Sequence, residues 1–173
     1  MKNNFRKGFT LIEILIVVAI IAILATVVLV GLGPTQQAGR DARRLSDLRE
    51  VQQGLQLYFN KCGYYPTATL GGGSTPCAAL TANTWAQMST ALTGASIGVN
   101  SVPQDPNNTG GTAPTYFYAS NSGGTDYIIA AVLETANNAA FRGYTAPPVS
   151  GYTFGDSGAP STCSASSTYC LTL

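Results

Sequence analysis

The sequence predicts an α+β fold: a long N-terminal helix, membrane-spanning in its first half and amphipathic in its second, packed on a small antiparallel sheet. Three observations carry that prediction. Phe9 to Leu32 is an apolar run whose only charge is Glu13. Apolar residues then recur every three or four positions as far as Phe59, the period of a helix with one buried face. The remainder breaks into short apolar runs separated by Gly, Ser, Thr, Asn and Pro, the pattern of strands and turns that follows a helix in α+β chains.

The apolar run comes first. At a rise of about 1.5 Å per residue it would extend about 36 Å as a helix, against a hydrocarbon core of roughly 30 Å. Lys2, Arg6 and Lys7 precede it and Arg40 is the next basic residue, so the positive-inside rule puts the N-terminus in the cytoplasm and the rest outside. A carboxylate within such a helix costs about 2.5 to 3.5 kcal/mol on insertion scales, which marks Glu13 as a functional residue in need of a partner. None is evident in the segment. A secretory signal has a shorter apolar core, about 7 to 15 residues, and a small-x-small cut, neither of which is found here. A plain anchor leaves Glu13 unexplained.

The run Gly8-Phe9-Thr10-Leu11-Ile12-Glu13, after a short basic leader, resembles the prepilin signature of type IV pilins and type II secretion pseudopilins, over roughly the first 30 residues. The resemblance implies cleavage between Gly8 and Phe9 by a membrane prepilin peptidase, methylation of Phe9 as the new N-terminal residue, and pairing of Glu13 with the N-terminal amine of a neighbouring subunit. It further implies a homo-oligomeric helical filament raised from an inner-membrane assembly platform. The subunit would be a single-pass membrane protein before assembly and part of an extracellular pilus or periplasmic pseudopilus afterwards.

On this reading residues 1–8 are the leader, 9–33 the transmembrane and assembly helix, 34–60 its amphipathic half, and 61–173 a globular head. Gly31, Gly33 and Pro34 predict a break or kink, because Gly costs about 1 and Pro about 3 kcal/mol within a helix. Many pilin stems carry a proline where this chain has Val30, slightly earlier. Ala38, Ala42, Leu45, Leu48, Val51 or Gln52, Leu55 and Tyr58/Phe59 then form the apolar stripe of a helix from near Thr35 to Asn60. Arg40, Asp41, Arg43, Arg44, Asp47, Arg49 and Glu50 fall between them. Acids interleave with the arginines and no aromatics do, so these residues predict a solvated or subunit-facing salt-bridge surface rather than a nucleic-acid patch. Removing Lys2, Arg6 and Lys7 leaves six basic against eight acidic side chains, a sum of −2, which does not favour polyanions.

In the head, Thr84 to Leu92 predicts a short helix with Trp85, Met88 and Leu92 on one face. Tyr116 to Ser120 and Asp126 to Leu133 flank a turn-rich link and predict a hairpin. Tyr152 to Phe154 and Tyr169 to Leu173 are further strands. Four cysteines in an exported chain predict two disulfides with three possible connectivities, of which we take the local one, Cys62 with Cys77 and Cys163 with Cys170. Each such loop contributes about 2.5 to 3 kcal/mol.

No cofactor is expected. The chain has no His and no Cys-x-x-Cys, and its late carboxylates show no motif spacing, so an enzyme is not predicted. Gly71-Gly72-Gly73 and Gly31-Leu32-Gly33 lack the residues of phosphate- or dinucleotide-binding loops. Asn107-Asn108-Thr109 fits a glycosylation acceptor. In pseudopilins a calcium ion can hold the late loops, which makes Asp105, Asp126 and Asp156 weak calcium candidates by resemblance.

The leading reading is therefore a type IV pilus subunit serving adhesion, motility or DNA uptake. The alternative is a pseudopilin of a type II secretion system, forming a periplasmic pseudopilus for protein export. A C-terminal cysteine pair resembles the surface loop of many type IV pilins. Tyr64-Tyr65-Pro66 and Val102-Pro103-Gln104-Asp105-Pro106 resemble stretches of major pseudopilins.

Overall fold

The computed structural model describes residues 8–70, 76–77, 80–107, 116–135, 138–163 and 167–173, with the side chains of 27–32 excepted. The chain divides into two units, one ending at Gln37 and the other beginning at Ala38.

The first unit is the N-terminal part of α1, Leu11–Cys62. Its large apolar side chains from Phe9 to Leu24 are all at least 51 % exposed. Among the described residues no helix is long and apolar enough to cross a membrane. Of the break or kink expected at Gly31 to Pro34, the break does not occur: helical backbone continues through Pro34. A proline removes one i to i−4 hydrogen bond and crowds one carbonyl, a penalty of about 3 kcal/mol that the turns on either side can outweigh.

The second unit holds the rest of α1, then α2 (Trp85–Gly94), β1 (Tyr116–Ser120), β2 (Tyr127–Val132), a 3-10 turn (Ala139–Phe141), β3 (Thr153–Phe154) and β4 (Thr168–Thr172). Thr84 caps α2, its hydroxyl accepting the Gln87 N–H, and the helix runs two residues beyond the expected Leu92. β1 and β2 form the expected hairpin, with Tyr118 opposite Ile129. The sheet order is β3-β1-β2-β4 and every pairing is antiparallel.

Strand alternation sorts two cores. Tyr116, Tyr118, Tyr127, Ile129 and Ala131 pack with Leu48, Val51, Leu55 and Tyr58 of α1 and with Trp85, Met88 and Leu92 of α2. Phe117, Ile128 and Ala130 face the other way, onto Cys163, Cys170, Val149, Tyr152 and Phe154. The sheet is thus buried on both faces, which is why β1 shows no polar alternation. α1 ends at Cys62, two residues beyond the expected Asn60, and Gly63 follows at φ 78° with its N–H on the Phe59 carbonyl. Cys62 is bonded to Cys77, and Cys163 to Cys170.

One glycine is dictated by its surroundings. Gly124 closes the hairpin at φ 60°, and a Cβ there would lie 2.9 Å from Leu70 Cδ1 and 3.2 Å from the Tyr65 carbonyl.

Candidate assembly site

The N-terminal motif folds as a capping box. Thr10 precedes the first helical residue, Leu11, and Glu13 is the third residue of the helix. One Glu13 carboxylate oxygen accepts from the Thr10 N–H at 2.8 Å and from the Thr10 hydroxyl at 2.7 Å, while the Glu13 N–H points at that hydroxyl at 3.4 Å. In the single chain, then, Glu13 does have a partner, and it is local. The Thr-x-x-Glu spacing was legible in the sequence, but a search for an opposite charge passes over a hydroxyl.

Gly8, Phe9, Thr10 and Glu13 are all exposed. Among the described residues a Cβ at Gly8 would meet nothing within 4 Å, so no described contact requires glycine there. Residues 1–7 of the expected leader lie outside the described residues.

A second constellation lies at the start of the head and departs from expectation. Asp41, Arg44 and Asp47 are buried rather than solvated. The reason is helical phase: 41, 44, 48, 51, 55 and 58 step by three and four, so Asp41 and Arg44 continue the line of the buried stripe. A charge in that position needs compensation. Arg44 donates through Nε and Nη2 to both Asp105 oxygens and through Nη1 to Asp41 at 2.8 Å, with Glu134 2.7 Å away. Asp41 also accepts the N–H groups of Glu134 and Thr135, each at 2.9 Å, and the Asn138 amide at 3.3 Å. Arg40 holds Glu134 from outside, and Tyr116 donates its hydroxyl to Asp47 at 2.7 Å. One arginine thus joins α1, the loop at Asp105 and the segment after β2.

Burial opposes the charge on both Asp41 and Arg44. For Asp41 the backbone N–H groups and Arg44 prevail, holding the carboxyl below its usual range. For Arg44 the hydrogen bonds to Asp105, Glu134 and Asp41 prevail, holding the guanidinium above its ordinary value. Hydrogen bonds from Arg40 and Arg44 keep Glu134 low as well, against a smaller burial effect.

The three calcium candidates are not brought together. Asp105 is committed to Arg44, Asp126 accepts from the Tyr152 hydroxyl, and Asp156 accepts the Trp85 N–H at 2.8 Å. Among the described residues no group of three metal-ligating side chains forms. Burial raises the Asp156 carboxyl, and burial together with Asp126 pushes Tyr152 up to about 12. Asn107 donates its carboxamide to Glu134 at 2.8 Å, so the nitrogen of the glycosylation triplet is engaged; Asn108 and Thr109 lie outside the described residues, as do Gly71, Gly72 and Gly73.

Residues 3–29 match the family model of the prokaryotic N-terminal methylation motif. Over 66 residues, 38 % of this chain and 46 % of the relative, the sequence is 32 % identical to the type II secretion system core protein G of Escherichia coli K12. It is 30 % identical to the core protein G of Aeromonas hydrophila over 71 residues, 41 % of this chain and 50 % of that one. The same protein of Dickeya chrysanthemi is 30 % identical over 69 residues, 40 % and 45 % of the two chains. The chain thus spans about half the length of the curated relatives it matches. No solved structure gives a significant match.

Proposed function

We propose, from the premise that the chain belongs to the pilin and pseudopilin family, that it is a pseudopilin-type subunit of a protein-export machine, polymerising through its N-terminal helix into a periplasmic filament. The observation that carries this reading is the similarity to type II secretion core protein G in three organisms, over a stretch more than twice as long as the methylation motif. It reverses the preference drawn from the sequence, which put a type IV pilus first. The two stretches that resemble pseudopilins both do structural work in the head: the Pro66 carbonyl accepts the Tyr118 hydroxyl at 2.6 Å, and Asp105 clamps Arg44.

In this reading the peptidase accounts for the glycine at position 8, which no contact among the described residues requires. Cleavage turns Phe9 into an N-terminal amine one residue from Thr10. Before assembly the Thr10 box satisfies the Glu13 carboxylate; in the filament a neighbour's amine replaces it, exchanging a neutral donor for a charged one in a low-dielectric bundle. The first unit, with its apolar side chains exposed, is the surface that lipid covers first and neighbouring helices afterwards.

A surface pilus is the second reading, favoured by the Cys163–Cys170 loop. Deleting the gene distinguishes them. The pseudopilin reading expects exported proteins to accumulate in the periplasm with surface fibres unchanged. Loss of surface fibres with export intact would replace it with the pilus.

A further inference from the structure

β4 is the last strand on its side of the sheet, and among the described residues no strand lies beyond it. An edge strand presents unpaired N–H and C=O groups, a template for another chain. Here that template is occupied by a side chain. Cys170 stands opposite Ala130 of β2, yet its N–H donates to the Tyr144 hydroxyl at 3.0 Å and its carbonyl accepts from the same hydroxyl at 3.3 Å. One phenol therefore meets both the donor and the acceptor that an added strand would take. Its ring is stacked at 4.9 Å on Tyr169 and at 5.7 Å on Phe141, which fixes the hydroxyl on the edge. Further along, the Thr172 carbonyl is taken by the Gln52 amide at 3.3 Å.

We propose that Tyr144 is the guard of the β4 edge, and that the partner it excludes is β4 of a second copy of this chain. The second copy is favoured by symmetry. When two β4 strands pair antiparallel about Cys170, each Cys170 N–H meets the other's Cys170 carbonyl, so the single site that Tyr144 covers is self-complementary. Thr168 and Thr172 then face one another at either end of the pairing. In a protein that lives at high local concentration in a filament, an open edge of this kind would compete with assembly through the helix; this clause alone rests on the proposed function.

The test uses the full-length mature chain in detergent. Tyr144→Ala removes both the hydroxyl and the ring that stand over the edge at Cys170. It is expected to speed amide exchange at Cys170 about tenfold and to give concentration-dependent dimers joined between β4 strands, mapped by cross-linked peptides. Adding Thr172→Pro blocks strand addition at an N–H that points away from β2, and is expected to abolish those dimers while leaving the fast Cys170 exchange. Dimers that persist in the double variant, or a monomeric Tyr144→Ala protein whose Cys170 amide exchanges faster, would overturn the proposal. A monomeric variant with unchanged exchange would overturn it equally. Intact disulfides and near-ultraviolet dichroism establish that each variant is folded.

Discussion

Replacing Arg44 with Met should be the most damaging single change in the head, and its size follows from what would be left behind. Arg44 is 1 % exposed, Asp41 0 % and Asp105 6 %. Removing one partner of a buried ion pair costs about 3 to 5 kcal/mol, because the other charge stays buried without compensation. Here the remaining groups are not wholly abandoned. Asp41 keeps the Glu134 and Thr135 N–H groups and the Asn138 amide, Glu134 keeps Arg40, and Asp105 keeps the Asn107 N–H at 2.7 Å. The loss should therefore lie near the lower end, about 3 kcal/mol, or about 10 °C in Tm for a unit of this size. The assay is thermal unfolding of the detergent-solubilised chain across pH. Asp41 and Glu134 are held below their ordinary values, so their contribution is complete above the unfolded carboxylate range and disappears as pH falls through the lower folded values. Arg44→Met removes a cause of that depression, so the difference from the parent should be largest near neutrality and shrink below about pH 4. A loss under about 1 kcal/mol at neutral pH, or one that does not vary with pH, would refute the claim that this network is a buried, charge-compensated joint.

Four further outcomes follow. Gly124→Ala should destabilise the head by about 1 to 3 kcal/mol, since it combines a positive φ with overpacking against Leu70 and Tyr64; unchanged denaturant unfolding would contradict this. Thr10→Ala, which removes the hydroxyl bonded to Glu13, should leave cleavage at Gly8 intact but weaken the first turn by about 1 kcal/mol, read as faster amide exchange at Glu13 and Ile14. Gly8 replaced by a bulky residue should leave full-length precursor in the membrane, and a mature protein starting anywhere but Phe9 by mass spectrometry would sink the cleavage assignment. Tyr116→Phe should cost about 1 to 3 kcal/mol by stripping buried Asp47 of its hydroxyl donor, checked by the same thermal scan.

Much of the fold was legible because its signals are local. The 3.6 period placed Leu48, Val51 and Leu55 in the core, the Asn121 to Gly124 link flagged the hairpin, and Trp85, Met88 and Leu92 share the buried face of α2. What was not legible depends on pairing across the sequence. Asp41 and Arg44 look like solvent residues until Asp105 and Glu134, 61 residues or more away, turn out to cover them. The same holds for Tyr144, whose partner on β4 is 26 residues on. Propensity also overstated Pro34, because a helix that is otherwise continuous can absorb one missing hydrogen bond. At the N-terminus the charge of Glu13 was read and its hydroxyl partner was not, though the capping box lay in plain view three residues back.

Glu13 is proposed to serve assembly rather than insertion or folding, and a single variant separates these roles. Glu13→Ala, expressed as the only subunit, is followed for leader cleavage by mass spectrometry and for polymer by cross-linking of periplasmic oligomers. Losing a carboxylate from the apolar helix should leave insertion at least as efficient, by about 2.5 to 3.5 kcal/mol on insertion scales, with cleavage between Gly8 and Phe9 unchanged. The expected result is a processed, membrane-inserted subunit that forms no filament. Polymer at parental levels from the cleaved variant would contradict it.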